Sequence, residues 1–211
     1  MDSNRLNREA YDAVAHDWDA ARSGFFRREE ALLALLTRDL APGSLVLDAG
    51  CGTGRPFAEA LARLGHRVLG VDQSERLLAL ARQRLPKQRW VLSALEDYPF
   101  GEAVDAMLCW EALFHIPRQR HEALWGRMAA ALRPGGRLLL TVGGSAHAPF
   151  RDCMYGREFF YDSHTPEESE ALLRGAGLEI ELGEYLNRPD GGRDKGRYAI
   201  LARRPLAGTG A

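Results

Sequence analysis

Cysteine is scarce in this chain: three residues among 211, Cys51, Cys109 and Cys153, odd in number and scattered. That pattern excludes a disulfide frame and a thiolate metal site, and it reads as reduced thiols in a cytoplasmic protein with no metal. Charge of one sign is missing as well. With 28 basic and 29 acidic side chains the formal net charge is −1, so no dominant basic field exists to hold a nucleic-acid backbone. No apolar run is long enough to span a membrane, and Met1-Asp2-Ser3-Asn4-Arg5 lacks the apolar segment of a secretory signal. No internal repeat or low-complexity segment precedes the tail. What is present is ordinary for a globular protein: 45% hydrophobic residues and enough chain for one domain with a sizeable core.

The informative stretch is Leu45-Val46-Leu47-Asp48-Ala49-Gly50-Cys51-Gly52-Thr53-Gly54-Arg55-Pro56. A buried strand runs into an acidic residue, three alternating glycines and a proline suited to the first turn of a helix. Glycine permits the tight turn and a close backbone approach to a ligand. Eighteen residues after Gly54 a second apolar run, Arg67-Val68-Leu69-Gly70-Val71, ends in Asp72. A carboxylate at the tip of the second parallel strand can accept hydrogen bonds from ribose hydroxyls. The site therefore calls for a nucleoside cofactor. A dinucleotide fingerprint needs a third glycine where the helix packs on the strand. Counting from Gly50 or Gly52, that position holds Arg55 or Phe57, which argues against a nicotinamide-dependent oxidoreductase.

With its Asp-x-Gly-x-Gly-x-Gly spacing, the segment Asp48 to Gly54 resembles the first motif of the class I S-adenosylmethionine-dependent methyltransferases. Ala131-Leu132-Arg133-Pro134-Gly135-Gly136 followed by Arg137-Leu138-Leu139-Leu140 resembles that family's turn into its fifth strand. The resemblance runs from about Tyr11 to Arg203. It implies S-adenosyl-L-methionine as cofactor and S-adenosyl-L-homocysteine as product. It also implies a glycine loop (Gly50, Cys51, Gly52, Gly54) around the methionine part, Asp48 near the ammonium, and Asp72 with Gln73 at the ribose. The carbonyl of Cys109 or Trp110 is a further partner for the ammonium. The family often carries an acidic residue after the third strand, at the adenine amino group. Here Ser93 and Ala94 occupy that place, leaving the backbone of Ala94 and Leu95, or Glu96, for the contact. A leading helix with a tyrosine near its start closes over the cofactor in such proteins, a role that falls to Tyr11.

The elements expected are helices over 5–21 and 25–40, then strands alternating with helices, and a closing pair of strands, Leu178 to Leu186 and Gly196 to Arg203. Ser74 is the N-cap of one helix, and Thr165-Pro166-Glu167-Glu168 is a capping box for another. Such alternation makes an α/β, Rossmann-like doubly wound sheet with helices on both faces. The family's version has seven strands, mostly parallel with the last antiparallel. One domain over 1–203 is expected, with cap helices over 1–40 and a disordered tail over 204–211.

In an open α/β sheet the ligand crevice lies beyond the carboxyl ends of the strands. After the fourth strand come Trp110-Glu111-Ala112-Leu113-Phe114-His115. His115 is a candidate catalytic base, or a residue whose hydrogen bond shapes the site; Glu111 is a second candidate. After the fifth strand, residues 143–164 show no clear helix or strand, and long irregular segments are often lids or binding loops. That stretch supplies His147, Tyr161 and His164 toward an acceptor, with Phe114 and Trp18 from elsewhere. His66 and His121 read as surface residues. The expected reaction is direct displacement at the methyl carbon by an N, O, S or C nucleophile of a small molecule. A protein that only binds the cofactor or its product is the alternative. No nucleic-acid or membrane partner is expected, and the chain is a monomer or homodimer.

Overall fold

The computed structural model describes residues 3–206. Two helices lead, α1 (Ser3–Ala13) and α2 (Ala15–Ala21), followed by α3 (Glu29–Thr37). Then come β1 (Leu45–Ala49), α4 (Phe57–Arg63), β2 (Arg67–Asp72), α5 (Glu75–Arg84), β3 (Arg89–Leu92) and β4 (Val104–Cys109). The second half holds α6 (His121–Ala131), β5 (Leu132–Gly143), β6 (Phe150–Met154), β7 (Arg157–Tyr161), α7 (Pro166–Gly175), β8 (Glu179–Asn187) and β9 (Arg197–Arg203).

Seven strands form one sheet in the order β3-β2-β1-β4-β5-β9-β8. Every pairing is parallel except those of β9, which runs antiparallel to both β5 and β8. β1 sits at the switch point, with Leu47 opposite Leu69 on one side and Met107 on the other. Strand alternation sorts the core into two layers. Leu45, Leu47 and Ala49 pack with Trp125, Met128 and Leu173 of α6 and α7. Val46 packs on the opposite face with Leu32, Leu36, Phe57 and Leu61 of α3 and α4. All five residues of β1 are buried, so its C-terminal tip is delivered to a fixed point above the sheet.

The capped helices form as their sequences indicate. The Ser74 hydroxyl accepts from the Leu77 amide at 3.2 Å. Thr165 and Glu168 make the reciprocal pair of a capping box. Four expectations are corrected. Residues 5–21 are two helices, broken at Val14. Residues 143–164 are not irregular: β6 and β7 form an antiparallel hairpin around Tyr155 and Gly156, both at positive φ (50° and 72°). Such a pair of left-handed residues makes the tight turn whose twist suits a hairpin. His66 and His121 are not surface residues; both are buried, and His121 Nε2 lies between the carbonyls of Leu113 (3.1 Å) and Ile116 (3.0 Å). Arg204, assigned to a tail, pairs its backbone with Gly136 and donates to the carbonyls of Ala129, Ala130 and Leu132 at the end of α6. Residues 207–211 of that tail lie outside the described residues.

Gly70 backs the glycine loop. A Cβ there would lie 2.3 Å from the Trp90 ring and 2.8 Å from Cys51 Sγ. Gly70→Ala is expected to lower stability by about 1–3 kcal/mol. Urea unfolding checks this as a lower midpoint at unchanged slope; an unchanged midpoint contradicts the packing described.

Candidate active site

The loop after β1 turns back at Gly50 and Gly52, with φ of 82° and 53°, a region costly for residues with a Cβ. At Gly50 a Cβ would also meet that of Ala112 at 2.4 Å. The loop is tied to β2 in two ways. The amides of Gly50 and Cys51 donate to the Val71 carbonyl (2.8 and 3.1 Å). The Gly52 amide donates to Asp72 Oδ2 at 2.9 Å, while Ser74 N–H donates to Oδ1 of the same carboxylate at 2.9 Å. Asp72 thus braces the loop from below and still lines the cleft above it.

That cleft encloses about 70 Å³ between the strand tips and the cap helices. Of the residues assigned to the cofactor from sequence, Tyr11, Gly50, Gly52, Asp72, Gln73, Leu95 and Trp110 line it. Asp48, Cys51, Gly54, Ala94 and Cys109 do not. Asp48, Cys51 and Cys109 are buried beneath the lining, and Gly54 packs against Trp90, Leu85 and Ala58. Glu96, named from the sequence as an alternative for the adenine contact, and Ser93, placed there without a role, line the cleft too; Asn4, Leu77, Ala112 and Ile116 line it and were assigned no role. Their signal was positional only, because each follows a strand tip or belongs to a helix placed over one.

The donor set fits a phosphate-free cationic nucleoside. Asp72 presents a carboxylate to the cleft, an acceptor suited to ribose hydroxyls, and Gln73 lines the cleft beside it. Leu77, Leu95 and Ile116 supply apolar walls for a purine, and Ser93 and Glu96 a polar edge. Below the loop, burial and the nearby Asp72 carboxylate raise Asp48 to about 7. Desolvation raises Asp72 too, opposed by its backbone donors. Two carboxylates held this close and this dry favour a cation over the anionic pyrophosphate of a dinucleotide.

The cap is fastened by polar latches. Asp12 of α1 accepts from the Ser74 hydroxyl (2.6 Å) and the Arg76 amide (3.1 Å) at the start of α5. Asp19 of α2 pairs with Arg84 at 2.9 Å, and Arg84 also donates to the Thr53 carbonyl of the glycine loop. Asn7 is fully buried; it donates to the carbonyls of His115 (3.1 Å) and Phe160 (3.2 Å) and accepts from the Phe160 amide (2.8 Å). Asn7 and Asp12 carry no motif, so nothing in the sequence marked them.

Beyond the cleft opens a cavity of about 850 Å³ between the cap, the β6–β7 hairpin and the loop before β9. Phe114, His147 and Tyr161, assigned to the acceptor, line it together with Phe150, which stacks on Tyr161 at 5.3 Å and 16°. His164 does not line it. Its ring packs near His121 and Trp125, with Nε2 3.1 Å from the Arg118 carbonyl. Cleft and cavity share four residues, Tyr11, Trp18, Glu111 and His115. Glu111 adopts φ 55°; one carboxylate oxygen pairs with Arg197 at 3.2 Å and the other is buried without a partner. Burial raises its pKa, against the pull of Arg197. His115 is fixed at both nitrogens: Nδ1–H donates to the Phe160 carbonyl at 2.9 Å, and Nε2 accepts from the Tyr11 hydroxyl at 2.8 Å. Burial lowers its pKa to about 4. Among the described residues, no group of three or more His, Cys, Asp or Glu could hold a metal ion, and no helix is long and apolar enough to cross a membrane.

Known proteins resemble this chain in sequence and in fold. A methyltransferase-domain family model matches residues 46–136. The ubiquinone biosynthesis O-methyltransferase of Xanthomonas axonopodis pv. citri is 29% identical over 194 residues, covering 82% of this chain and 80% of that one. Its counterpart in Xanthomonas oryzae pv. oryzae is 32% identical over 160 residues, 68% and 65% of the two chains. Among solved structures, magnesium protoporphyrin IX methyltransferase of Synechocystis PCC 6803 with bound S-adenosylmethionine superposes with a TM-score of 0.74. It is 20% identical and covers 97% of this chain and 98% of that one. The 1,6-didemethyltoxoflavin-N1-methyltransferase of Burkholderia thailandensis, with its substrate and S-adenosylhomocysteine bound, gives a TM-score of 0.69, 25% identity, and coverage of 94% and 87%.

Three predictions follow from the two carboxylates. A raised folded pKa means that the folded state binds the extra proton. The stability this contributes is complete below about pH 4 and is lost as pH rises through about 7. The ligand-free protein is therefore expected to melt at lower temperature at pH 8 than at pH 5.5, with the slope reduced in Asp48→Asn; a slope unchanged by that substitution counts against the linkage. Calorimetric titration is expected to show S-adenosylmethionine binding more tightly at pH 8 than at pH 6, with protons released. Asp72→Ala is expected to weaken binding at least about 100-fold, since charge-assisted hydrogen bonds contribute roughly 1.5–3 kcal/mol each. Normal binding by Asp72→Ala would refute the cofactor geometry.

Proposed function

The chain is a class I S-adenosylmethionine-dependent methyltransferase acting on a small molecule, and from that premise we propose that its acceptor is a hydroxylated aromatic compound methylated on oxygen. The observation that carries this reading is the junction of cleft and cavity at Tyr11, Trp18, Glu111 and His115. A flat ring suits the aromatic walls, Phe114, Phe150 and Tyr161. Polar substituents suit the outer rim, where Arg27, Arg193, Asp194 and Lys195 stand, better than a long aliphatic tail does. The O-methyltransferase names of the Xanthomonas relatives point the same way. Binding without catalysis, and nicotinamide chemistry, find no support among these relatives.

When bound, the cofactor supplies a methyl group already activated on a sulfonium. The remaining work belongs to the protein. Asp72 and Gln73 would hold the ribose; the glycine-loop backbone and the Trp110 carbonyl would hold the methionine part, in the field of Asp48. Tyr11 and Trp18, edge to face at 5.5 Å, roof the junction and keep water from it. Holding an acceptor oxygen in line from the cavity side can supply roughly 7–11 kcal/mol of the barrier. Glu111 stands at the junction as an acceptor for a polar hydrogen of the incoming molecule. His115 does not reach the acceptor directly, because Tyr11 covers its free nitrogen.

The test is incubation with methyl-labelled S-adenosylmethionine and a panel of hydroxyarenes, catechol first, beside ring N–H heterocycles of similar size. Label in an O-methyl ether is the expected product. Label only in N-methyl heterocycles would overturn the oxygen assignment.

A further inference from the structure

Most charges around the acceptor cavity are spent on one another. Arg22 pairs with Glu29 at 3.0 Å and Arg197 with Glu111 at 3.2 Å. Arg28 pairs with Glu184 at 2.9 Å, and Arg193 is held by Asp152. On the loop between β8 and β9, the Asp194 carboxylate accepts from the Asn187 side chain and the Gly196 amide, and that of Asp190 from the Gly192 amide. Lys195 stays within the same loop, its Nζ donating to the Gly192 carbonyl at 2.7 Å. Arg27 lines the cavity too and is exposed, yet no carboxylate stands within ion-pair distance of it among the described residues.

Arg27 is also costly to keep where it is. Its φ is 47°, a left-handed conformation that a residue with a Cβ seldom adopts. The turn that holds it is clamped by Glu29. That carboxylate is buried and accepts from Arg22, from the Phe26 amide (2.9 Å) and from the Trp110 indole N–H (2.9 Å). Trp110 follows β4 directly and lines the cofactor cleft. The strained residue is therefore presented to the cavity from a turn anchored to the site itself. Backbone strain that the surroundings enforce in this way clusters at ligand clamps.

We propose that Arg27 is a specificity residue whose guanidinium binds a carboxylate on the acceptor, so that the hydroxyarene is an aromatic acid. This rests on the hydroxylated aromatic reading above and narrows it to anionic members. The charges orient such a molecule. Glu111 stands where cleft and cavity meet and repels an anion from the inner end. Asp190 and Asp194 disfavour one on the loop side of the mouth. The cap side, at Arg27, is the place left. The ring then lies against the aromatic wall of Phe150 and Tyr161, with its hydroxyl toward the junction and its carboxylate outward. The planar guanidinium fork matches a carboxylate with two parallel hydrogen bonds.

The test is calorimetric titration of the full chain, with S-adenosylhomocysteine bound, by protocatechuate and by caffeate, each beside its methyl ester. The ester keeps the ring and its hydroxyls and removes the charge. At least one acid is expected to bind about 10-fold tighter than its ester, and less so as salt is raised. Arg27→Met is expected to abolish this preference and Arg27→Lys to restore part of it. Arg27→Gly separates recognition from folding. Glycine is at ease at this φ, so the variant is expected to melt no lower than wild type and still to lose the preference. Equal affinity for acid and ester in wild type overturns the proposal, as does a preference that survives Arg27→Met. A preference lost in Lys195→Met but kept in Arg27→Met puts the anion on the loop across the mouth, and overturns it equally. Methyl-labelled S-adenosylmethionine with the same probes keeps the two readings apart. Acids that bind through Arg27 but gain no methyl group on oxygen support the carboxylate site and sink the O-methylation reading. Esters methylated on oxygen as efficiently as acids, in wild type and Arg27→Met alike, do the reverse. If none of the probes binds, both fall.

Discussion

The carboxylate of Asp72 is the constraint from which the rest of the site follows. It sits at the tip of β2 and accepts from Gly52 of the loop after β1 and from Ser74 at the start of α5. Neighbouring parallel strands converge there, and without an acceptor the two amides at this crowded point would be left unmet. The same side chain that shapes the loop is offered to the ligand. This is why the floor of the cleft is rigid while its roof is a separate, latched element. Ser74 continues the connection, because its hydroxyl donates to Asp12 of the cap. Floor, flanking helix and roof therefore meet within one hydrogen-bond network.

A second consequence is electrostatic. Asp48 faces Asp72 from below the loop in a dry environment, and neither carboxylate has a cationic side chain within ion-pair distance among the described residues. A site arranged this way is uncomfortable when empty of positive charge and relaxes when a cation arrives. That asymmetry distinguishes the cleft from the generic strand–glycine–helix turn, which favours anions at the helix start. It gives a physical reason, independent of family likeness, for a sulfonium- and ammonium-bearing nucleoside.

Much of the fold was legible because the sheet is built from short apolar runs separated by strong punctuation. The glycine loop and the Ser74 and Thr165 caps each announce a boundary by local chemistry, whereas Pro134 to Gly136, read as a turn into the fifth strand, lie inside β5, where the register against β4 shifts. The floor of the cleft was legible for the same reason: Gly50, Gly52 and Asp72, which line it, shape it through backbone geometry and one charge. The acceptor side was not. The β6–β7 hairpin turns at Tyr155, a bulky residue in a left-handed conformation that propensity disfavours, so the stretch read as irregular. Asn7 and Asp162 do their work through tertiary contacts more than forty residues away in sequence, Asp162 by holding Arg118 at 2.6 Å. His164 looked like a site residue by position and instead packs on Trp125, whereas His115 was singled out without the partner that covers its nitrogen. Side chains whose meaning depends on a distant partner carry no local signature.

The central claim is that the methyl group is presented at the junction lined by Tyr11, Trp18, Glu111 and His115. Crystallography of the protein with S-adenosylhomocysteine tests it most directly. The account predicts the nucleoside over Asp72 with its sulfur facing that junction and the cavity beyond. A nucleoside seated in the larger cavity, or a sulfur turned away from Tyr11, would contradict it.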